Sequence, residues 1–312
     1  MRSARFSRKR TTRKRRTPLR RSRVTRRPTR RVSRRPRLRT MTRRSVLNIS
    51  SEKKRDNMLS YAAVGIGTTA GPLTMQGGSA SSTFGGFLCA WIATARDGTN
   101  STGTSAAPID KATRTSNTCY MRGLREQIRI ATSSSLPWEW RRICFTFKGA
   151  ALVIRNGTTA AVPLWLETSN GYVRLTTCLT AGSSTSDQIA IATQFVDHIF
   201  EGTYGADYSD ILTAKVDTTR ITPKYDKTIS IRSGNDSGVQ FSTKRWHGMN
   251  HNLVYEDREQ GGIENDTNVL STNGKPGMGD YYVVDFFKYH PSATSADNLS
   301  FAPQATLYWH ER

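Results

Sequence analysis

The amino-acid sequence predicts an all-β protein, an antiparallel sandwich or jelly roll that follows a disordered, arginine-rich N-terminal arm. Short segments in which apolar and polar residues alternate, each bounded by turn-forming residues, predict the strands. Helical patterns are few, so the strands do not alternate with helices as they do around a parallel sheet. We therefore expect an arm over 1–44, a linker over 45–83 and a single β domain over 84–312.

Six segments show the strand pattern most clearly. They are EQIRIAT (126–132), ICFTF (143–147), IAIATQF (189–195), KTISIRSG (227–234), DYYVVDFFKYH (280–290) and ATLYWHE (305–311). Because alternate side chains of a strand share one face, the apolar set of each segment is predicted to be buried. The predicted core residues are Ile128, Ile130, Ile143, Phe145, Phe147, Ile189, Ile191, Val283 and Leu307.

Two segments outside these strands are candidate helices. Residues 50–60, inside the predicted linker, form the first candidate, and Ser50 or Ser51 would cap it. Leu253–Gln260 is a weaker candidate.

The net charge is concentrated at the N-terminus. Residues 1–44 contain 22 lysine and arginine residues and no aspartate or glutamate. Subtracting these 22 from the 47 basic residues of the chain leaves 25 in residues 45–312, which hold all 24 acidic residues. Such an arm cannot bury enough apolar surface to offset its ordering entropy, so we expect it to be disordered when free. Charge segregated to one end predicts a polyanionic partner.

Arginine dominates the arm, and its guanidinium group binds phosphate oxygens in bidentate fashion. Because Phe6 is the only aromatic residue of the arm, we expect contacts that depend on phosphate charge and not on base sequence. The runs 8–10 and 13–16 are also typical of nuclear import signals. The candidate nucleic-acid-binding residues are Arg8, Lys9, Arg10, Arg13, Lys14, Arg15, Arg16, Arg20, Arg21, Arg23, Arg26, Arg27, Arg30, Arg31, Arg34, Arg35, Arg37, Arg39, Arg43 and Arg44, with Lys53, Lys54 and Arg55 shortly after them.

A second segment, LPWEWRRICFTFKG (136–149), interleaves aromatic and basic residues. Trp138, Trp140, Arg141 and Arg142 are the candidates there for secondary contacts with single-stranded nucleic acid, because aromatic rings stack on bases. The alternative is a strand whose tryptophans lie in the core while the arginines face solvent or a neighbouring subunit.

Sequence motifs of common enzymes and metal sites are absent. There is no phosphate-binding loop, no G-x-S-x-G and no H-E-x-x-H. His247 and His251 have a helical metal spacing, but no third ligand accompanies them. Glu256, Asp257, Glu259, Glu264 and Asp266 lack the spacing of a calcium loop, so a solvated loop or an interface is the better interpretation. We therefore expect no catalysis, no cofactor, no bound metal and no small-molecule substrate.

The four cysteines are about thirty residues apart and form no C-x-x-C pair. We expect buried thiols in the strands of a reduced protein, with zinc ligands or disulfides as the alternatives. The longest nearly apolar stretch, 84–95, is too short to span a bilayer, so no membrane partner is expected.

Several segments together resemble the capsid proteins of genomoviruses, the gemycircularvirus-like group, which are distantly similar to geminivirus coat proteins. They are RRSVLNISSEKKRDNML (43–59), CAWIATARD (89–97), TCYMRGLREQIRIAT (118–132), WEWRRICFTFKG (138–149) and the ending YWHE (308–311). The match is dense over 40–150 and sparse over 150–300.

The resemblance implies a single jelly-roll capsid protein of a small circular single-stranded DNA virus. It implies a small icosahedral virion in which about sixty copies surround the DNA, replication in the host nucleus and recognition by host nuclear import receptors. It maps the family's basic arm onto Arg2–Arg44. It transfers no catalytic residue. The choice of DNA over RNA comes from the resemblance alone, since an arginine arm binds either phosphate backbone.

A cellular nucleic-acid-binding protein, ribosomal or chromatin-associated, is the alternative. Ribosomal proteins usually spread basic charge over the globular body as well, whereas residues 45–312 are almost neutral. A viral enzyme is a third hypothesis, which the missing motifs disfavour. Electron microscopy separates the first two, because only a capsid protein forms closed uniform particles.

Overall fold

The computed structural model describes residues 41–80, 84–99, 103–256, 259–260, 263–264 and 268–311. Within them the chain is mostly β, with antiparallel sheets and two helices. The helices are α1 (Arg43–Ser50) and α2 (Ser186–Ile199). The strands are β1 (Glu52–Met58), β2 (Ser60–Val64), β3 (Gly67–Ala70), β4 (Leu73–Gln76), β5 (Phe87–Ile92), β6 (Thr118–Thr132), β7 (Trp138–Phe147), β8 (Glu167–Thr168), β9 (Gly171–Tyr172), β10 (Arg174–Cys178), β11 (Thr222–Ile231), β12 (Gln240–Val254), β13 (Glu259–Gln260), β14 (Ile263–Glu264), β15 (Asp280–Tyr289) and β16 (Asn298–Glu311).

Two large sheets organise these strands. Sheet 1 has the order β1-β16-β6-β12, with β4 also paired to β16. Sheet 2 has the order β11-β7-β15-β5-β10-β2-β3. The pairs are antiparallel except β10 with β2, which is parallel. Two short two-stranded ribbons, β8-β9 and β13-β14, complete the strand pairing among the described residues.

Eight of the strands pair in a nested order. Along the chain they are β1, β5, β6, β7, β11, β12, β15 and β16. The first pairs with the last, β1 with β16, and the second with the seventh, β5 with β15. The third pairs with the sixth, β6 with β12, and the fourth with the fifth, β7 with β11. The four pairs therefore nest inside one another along the chain, and they belong alternately to sheet 1 and sheet 2.

The core has two levels. Between the sheets, Trp140 and Val283 of sheet 2 pack in the same apolar clusters as residues such as Ile130 and Leu307 of sheet 1. The opposite face of sheet 2 packs against α2 and the loops beside it in a third cluster. The central strands of sheet 2 are thus covered on both faces, whereas its edge strands β3 and β11 and the outer face of sheet 1 meet solvent.

The predicted core residues are buried with two exceptions. Phe147 and Ile189 are only partly buried. The other seven are at most 1% exposed: Ile128, Ile130, Ile143, Phe145, Ile191, Val283 and Leu307.

The segment 189–195, predicted as a strand, is helical. It lies inside α2, where Thr185 and Gln188 form a capping box by exchanging side-chain and backbone hydrogen bonds. The buried residues Ile191, Phe195 and Ile199 are four positions apart, a spacing that keeps them on one face of a helix with 3.6 residues per turn. The strand prediction placed Ile189 and Ile191 together on one buried face of a strand. In the helix only Ile191 is fully buried, and Ile189 is half-buried at the edge of the apolar face.

The segment 45–83, which we expected to be a linker, contains strands β1 to β4. The helix predicted over 50–60 is wrong, because most of this segment is a strand. The helix nearby is α1, which ends at Ser50 and has Thr42 as its N-cap. Residues 52–58 form β1, whose inward positions include Lys54 and Asp56. Charged residues at inward positions hide the apolar alternation that marks a strand. The helix predicted at Leu253–Gln260 is also wrong, since Leu253 and Val254 end β12.

The four cysteines confirm the prediction of buried free thiols. Cys89, Cys119, Cys144 and Cys178 lie in β5, β6, β7 and β10, and each is free and buried. Neither helix of the described chain is long and apolar enough to cross a membrane.

Candidate nucleic-acid interface

The predicted interface begins in the arm, and most of the arm lies outside the described residues. The candidates from Arg8 to Arg39 are all among residues 1–40. Arg43 and Arg44 open α1, whose first turn is capped by Thr42: its hydroxyl accepts from the Ser45 backbone N–H at 3.3 Å. The described chain therefore starts one residue before a capped helix that leads directly into β1.

The basic run 53–55 is divided between the two faces of β1. Lys53 and Arg55 are exposed. Lys54 points inward, is 2% exposed and forms an ion pair of 3.1 Å with Glu311. Its ammonium also donates to Thr113 O and Thr115 Oγ1 at 2.9 Å. Lys54 cannot reach a nucleic acid, so its assignment to the interface is corrected, whereas Lys53 and Arg55 remain available.

The second predicted site, at 138–142, lies inside the protein. Trp138 and Trp140 are at most 1% exposed. Arg141, 5% exposed, forms a two-pronged ion pair with Asp226 at 2.9 and 2.7 Å. Arg142 is 1% exposed and points between the sheets. These four residues are therefore not surface contacts. The alternative of a core strand is right for the tryptophans and wrong for the arginines, which are paired inside the chain and do not face solvent.

A buried ion cluster lies between the two sheets. Glu126 on β6 accepts from Arg142 Nη1 and, at 3.1 Å, from Arg174 Nε. Asp285 on β15 accepts from Arg142 Nε at 2.7 Å and from Nη2 at 2.8 Å. No side chain of these four is more than 2% exposed. Burial disfavours the Glu126 carboxylate, but Arg142 and Arg174 outweigh this and hold the pKa of Glu126 well below its usual range.

The outer face of sheet 1 collects the surface cations of its strands. Six basic residues point outward from β1, β6 and β12, and we call them the basic face. All four carboxylates of these strands and β16 occupy inward positions: Asp56, Glu126 and Glu311 are buried, and Glu52 at the sheet edge pairs with Lys111. Within the described part of sheet 1, the outward positions thus hold cations without anions. The basic face consists of Lys53, Arg55, Arg122, Arg125, Arg129 and Lys244.

Two aromatic rings lie among these cations. Trp246 on β12 is 54% exposed, and its ring centroid is 5.8 Å from that of Tyr308 on β16. Between their strands runs β6, where residue 123 is glycine. A Cβ at Gly123 would lie 2.7 Å from the Trp246 ring and 2.5 Å from the His247 carbonyl oxygen. The glycine therefore lets the indole lie directly on the backbone of β6.

A groove of about 350 Å³ runs beside the rings on the same face. Its polar lining includes Asn57, Gln127, Gln304 and Thr306, with Arg125 at one side. Arg125 lies directly opposite Trp246 in the β6–β12 pairing. Amide and hydroxyl groups, a cation and an open aromatic ring therefore converge in one place.

The sequence contained a signal for this surface. Arg125, Gln127 and Arg129 alternate with residues predicted to be in the core, which places them outward. The sequence alone does not assign Trp246 to this surface, because the register between β12 and β6 decides which residues lie beside it.

Neither candidate metal site forms among the described side chains. His247 is buried beside Glu126, with Nε2 3.3 Å from Oε2, whereas His251 is exposed beyond an irregularity in β12. No group of three potential metal ligands occurs in the part of the chain that is described. Of the acidic residues at 256–266, only the Glu256 side chain is among those described, and the others lie outside them.

Asp280 is a buried carboxylate outside the interface. Its Oδ1 accepts from Thr94 Oγ1 at 3.0 Å, and its Oδ2 accepts from the Ser271 N–H and hydroxyl at 2.9 and 2.8 Å. Burial nevertheless raises the pKa of Asp280 from 3.8 to about 6. The folded protein therefore holds this proton more tightly than the unfolded chain does.

This shift predicts a pH dependence of stability. The contribution of protonated Asp280 is complete below pH 4 and is lost as the pH rises to about 6, at a cost of about 3 kcal/mol. In Asp280→Asn this loss should be absent, so its unfolding free energy relative to the native chain should rise across that window. Urea titrations between pH 4 and 7 measure it, with the exposed Asp236→Asn as control. Parallel curves for the native chain and Asp280→Asn would contradict the assignment.

Comparison of the chain with models of known protein families gives no match, and comparison with curated proteins gives none either.

Proposed function

We propose that this chain is the structural capsid protein of a small virus, which assembles with copies of itself and packages single-stranded DNA through its arginine-rich arm. The observation that carries the proposal is the segregation of charge: 22 cations without an acid precede a body with 25 basic and 24 acidic residues. A body of this kind is suited to packing against its own copies, and the arm to neutralising an enclosed polyanion.

The strand order supports a jelly roll. In that fold eight strands form two sheets by rolling up one long antiparallel hairpin, and viral capsid domains are among its common users. The nested pairs β1–β16, β5–β15, β6–β12 and β7–β11 have this order. Lectins and cupins share the fold, so the fold supports the capsid function only in combination with the arm.

The amount of charge fits the proposed cargo. With about sixty copies in a shell, the arms supply on the order of 1,300 positive charges, and single-stranded DNA has about one negative charge per nucleotide. The arms would neutralise much of a genome of roughly one to two thousand nucleotides. Assembly is then coupled to packaging, because the arms repel one another until DNA fills the shell. The basic runs of the same arm suit import into the host nucleus.

Removing the arm tests the function. A chain that begins at Met41 lacks 20 of the 22 arm cations but retains Thr42 and every described strand. We expect an unchanged thermal transition, particles that are less uniform in electron micrographs, and a fall in the ratio of absorbance at 260 and 280 nm, which reports encapsidated nucleic acid.

A full-length chain whose arm arginines are replaced by lysines is the matched control. Lysine keeps the positive charge but cannot make the two parallel hydrogen bonds that a guanidinium group makes to a phosphate. This variant should therefore bind DNA with lower affinity and keep most of the salt dependence of binding. If the chain beginning at Met41 packaged as much DNA as the full chain, the arm would not be the packaging element. If the full chain formed no closed particles under any assembly condition, the capsid function would be wrong.

A further inference from the structure

We propose that the basic face of sheet 1 is a second nucleic-acid site, at which Trp246 stacks on a base of a single strand while the surrounding cations hold its phosphates. This inference rests on the proposed function and adds an ordered site on the body to the one in the arm. The site is specific for single strands, because stacking requires a base that is unpaired and free to leave its neighbours.

Charge is the first argument. The six cations of the basic face share an outer surface on which the strands place no carboxylate. Arg125 and Arg129 are four residues apart on one face of β6, about 13 Å along the strand. Lys244 on β12 lies opposite Gln127, midway between them. These three cations therefore lie on two neighbouring strands within about 13 Å, a spacing at which one phosphate backbone can contact all three.

The low net charge of the body conceals this surface. Residues 45–312 are almost neutral because acidic residues elsewhere compensate the cations of sheet 1. Arg122 and Lys53 are close enough to the His310 ring that, after burial, they help to lower the pKa of this histidine. Arg122 and Lys53 thus add to the positive potential around His310.

The exposed indole is the second argument. Four of the six tryptophans are at most 1% exposed, and Trp165 is half-buried in the cluster beneath α2. Among the described tryptophans Trp246 alone is mostly exposed, and its ring lies against Gly123 with Arg125 opposite. An aromatic ring that is fixed from below by backbone and flanked by cations is the arrangement of a stacking platform for unpaired bases.

The groove beside Trp246 gives the third argument. Asn57, Gln127, Gln304 and Thr306 present uncharged donors and acceptors, which suit a base edge or a sugar. The arm joins the same sheet, because residues 41–51 connect residue 40 to the start of β1. One strand of nucleic acid can therefore contact the arm and the basic face together. A second protein copy would instead have to present carboxylates to six cations.

Intrinsic fluorescence tests the stacking. Full-length protein is titrated with an oligothymidylate of about 16 nucleotides, a length that covers one such site. We expect binding to quench the tryptophan emission, because a stacked base quenches Trp246. In Trp246→Phe most of the quenching should be lost while binding, followed by anisotropy of a labelled oligonucleotide, persists. Trp165→Phe is the matched control and should retain the quenching.

Salt dependence tests the phosphate contacts. In the double variant Arg125→Ala and Arg129→Ala, the log–log slope of affinity against salt should become shallower by about 1.4, since each phosphate contact contributes about 0.7. The control is Lys224→Ala with Lys227→Ala, which removes two exposed cations from β11 of sheet 2. Its slope should match that of the native chain.

The outcomes separate this inference from the proposed function. If the full chain binds the oligonucleotide but Trp246→Phe quenches like the native protein and both double variants have the native slope, the arm binds alone and the inference is overturned. Disturbed particle assembly in the Arg125 and Arg129 variant with unchanged titrations would make the face a contact between copies, and would also overturn it. A full chain that binds no oligonucleotide would overturn the packaging function itself.

Discussion

Replacing Glu126 by glutamine is expected to lower the free energy of unfolding by about 3–5 kcal/mol, because it leaves buried cations without their counter-ion. Glu126 accepts from both Arg142 and Arg174, and Asp285 alone cannot neutralise two guanidinium groups. Urea unfolding followed by tryptophan fluorescence measures the loss.

Asp226→Asn is the matched control for this prediction. Asp226 is the partner of Arg141, the neighbour of Arg142 on β7, but its side chain is 35% exposed. Arg141 stays buried but keeps its hydrogen bonds to the Ile211 and Ala214 carbonyl oxygens, and the position of the lost carboxylate is open to water, so we expect a smaller cost of about 1–2 kcal/mol. Equal costs for the two variants would show that burial of the ion cluster does not determine its energetics.

Trp140→Ala is expected to destabilise the protein by about 3–5 kcal/mol, through lost burial and the cavity that remains. The Trp140 ring stacks on Phe287 of sheet 2 at 5.9 Å and meets Phe301 of sheet 1 edge-on at 5.8 Å. Its indole N–H donates to Asp285 Oδ1 at 2.7 Å. The substitution therefore removes a side chain that joins both sheets and loosens one member of the buried ion cluster.

The same substitution on the outer face provides the comparison. Trp246→Ala removes an exposed ring, so its unfolding free energy should stay within about 0.5 kcal/mol of the native value. Thermal melts of both variants with and without an oligonucleotide distinguish the two tryptophans. A stable Trp140→Ala protein with weakened nucleic-acid binding would restore residue 140 as a contact and contradict its place in the core.

The strands that could be predicted are those whose inward residues are apolar. Ile128 and Ile130 on β6, and Ile143 and Phe145 on β7, alternate with polar residues or belong to a strongly β-forming run. Strand β1 could not be found this way, since Lys54 and Asp56 occupy its inward positions. Their ion-pair partners, Glu311 and Arg96, are distant in sequence, so the reason why charged residues face inward on β1 can be seen only in the folded structure.

Helix α2 was misassigned for a different reason. Ile189 and Ile191 suggested a strand, although Thr185 and Gln188 already form the T-x-x-Q pattern of a capping box. The helix covers the second face of sheet 2, which explains why β5, FLCAWI, is buried along its whole length without alternation. A third layer of this kind erases the pattern by which a half-buried strand is recognised.

The chemistry of the proposed interface can be predicted from the sequence, but its position on the folded chain can be predicted only in part. Counting charges was sufficient to identify the arm, because its 22 cations are contiguous in sequence. A count cannot locate the basic face, since Arg55, Arg125 and Lys244 come from three strands that meet only through register. The segment 138–142 has the residue types of a nucleic-acid contact, but its two arginines are buried in ion pairs with Asp226 and Asp285.

The nested strand order has a consequence for how the chain is made. Glu52 at the start of β1 pairs with Glu311, at the opposite end of the domain, so sheet 1 cannot close before the ribosome has released the last strand. Strand pairs this far apart in sequence make folding slow, because the chain loses entropy in closing the loop before the contacts that stabilise the pair can form. For the capsid function proposed above, a chain that stops before β16 would lack the strand that joins β1 to β6 and could not supply a folded subunit.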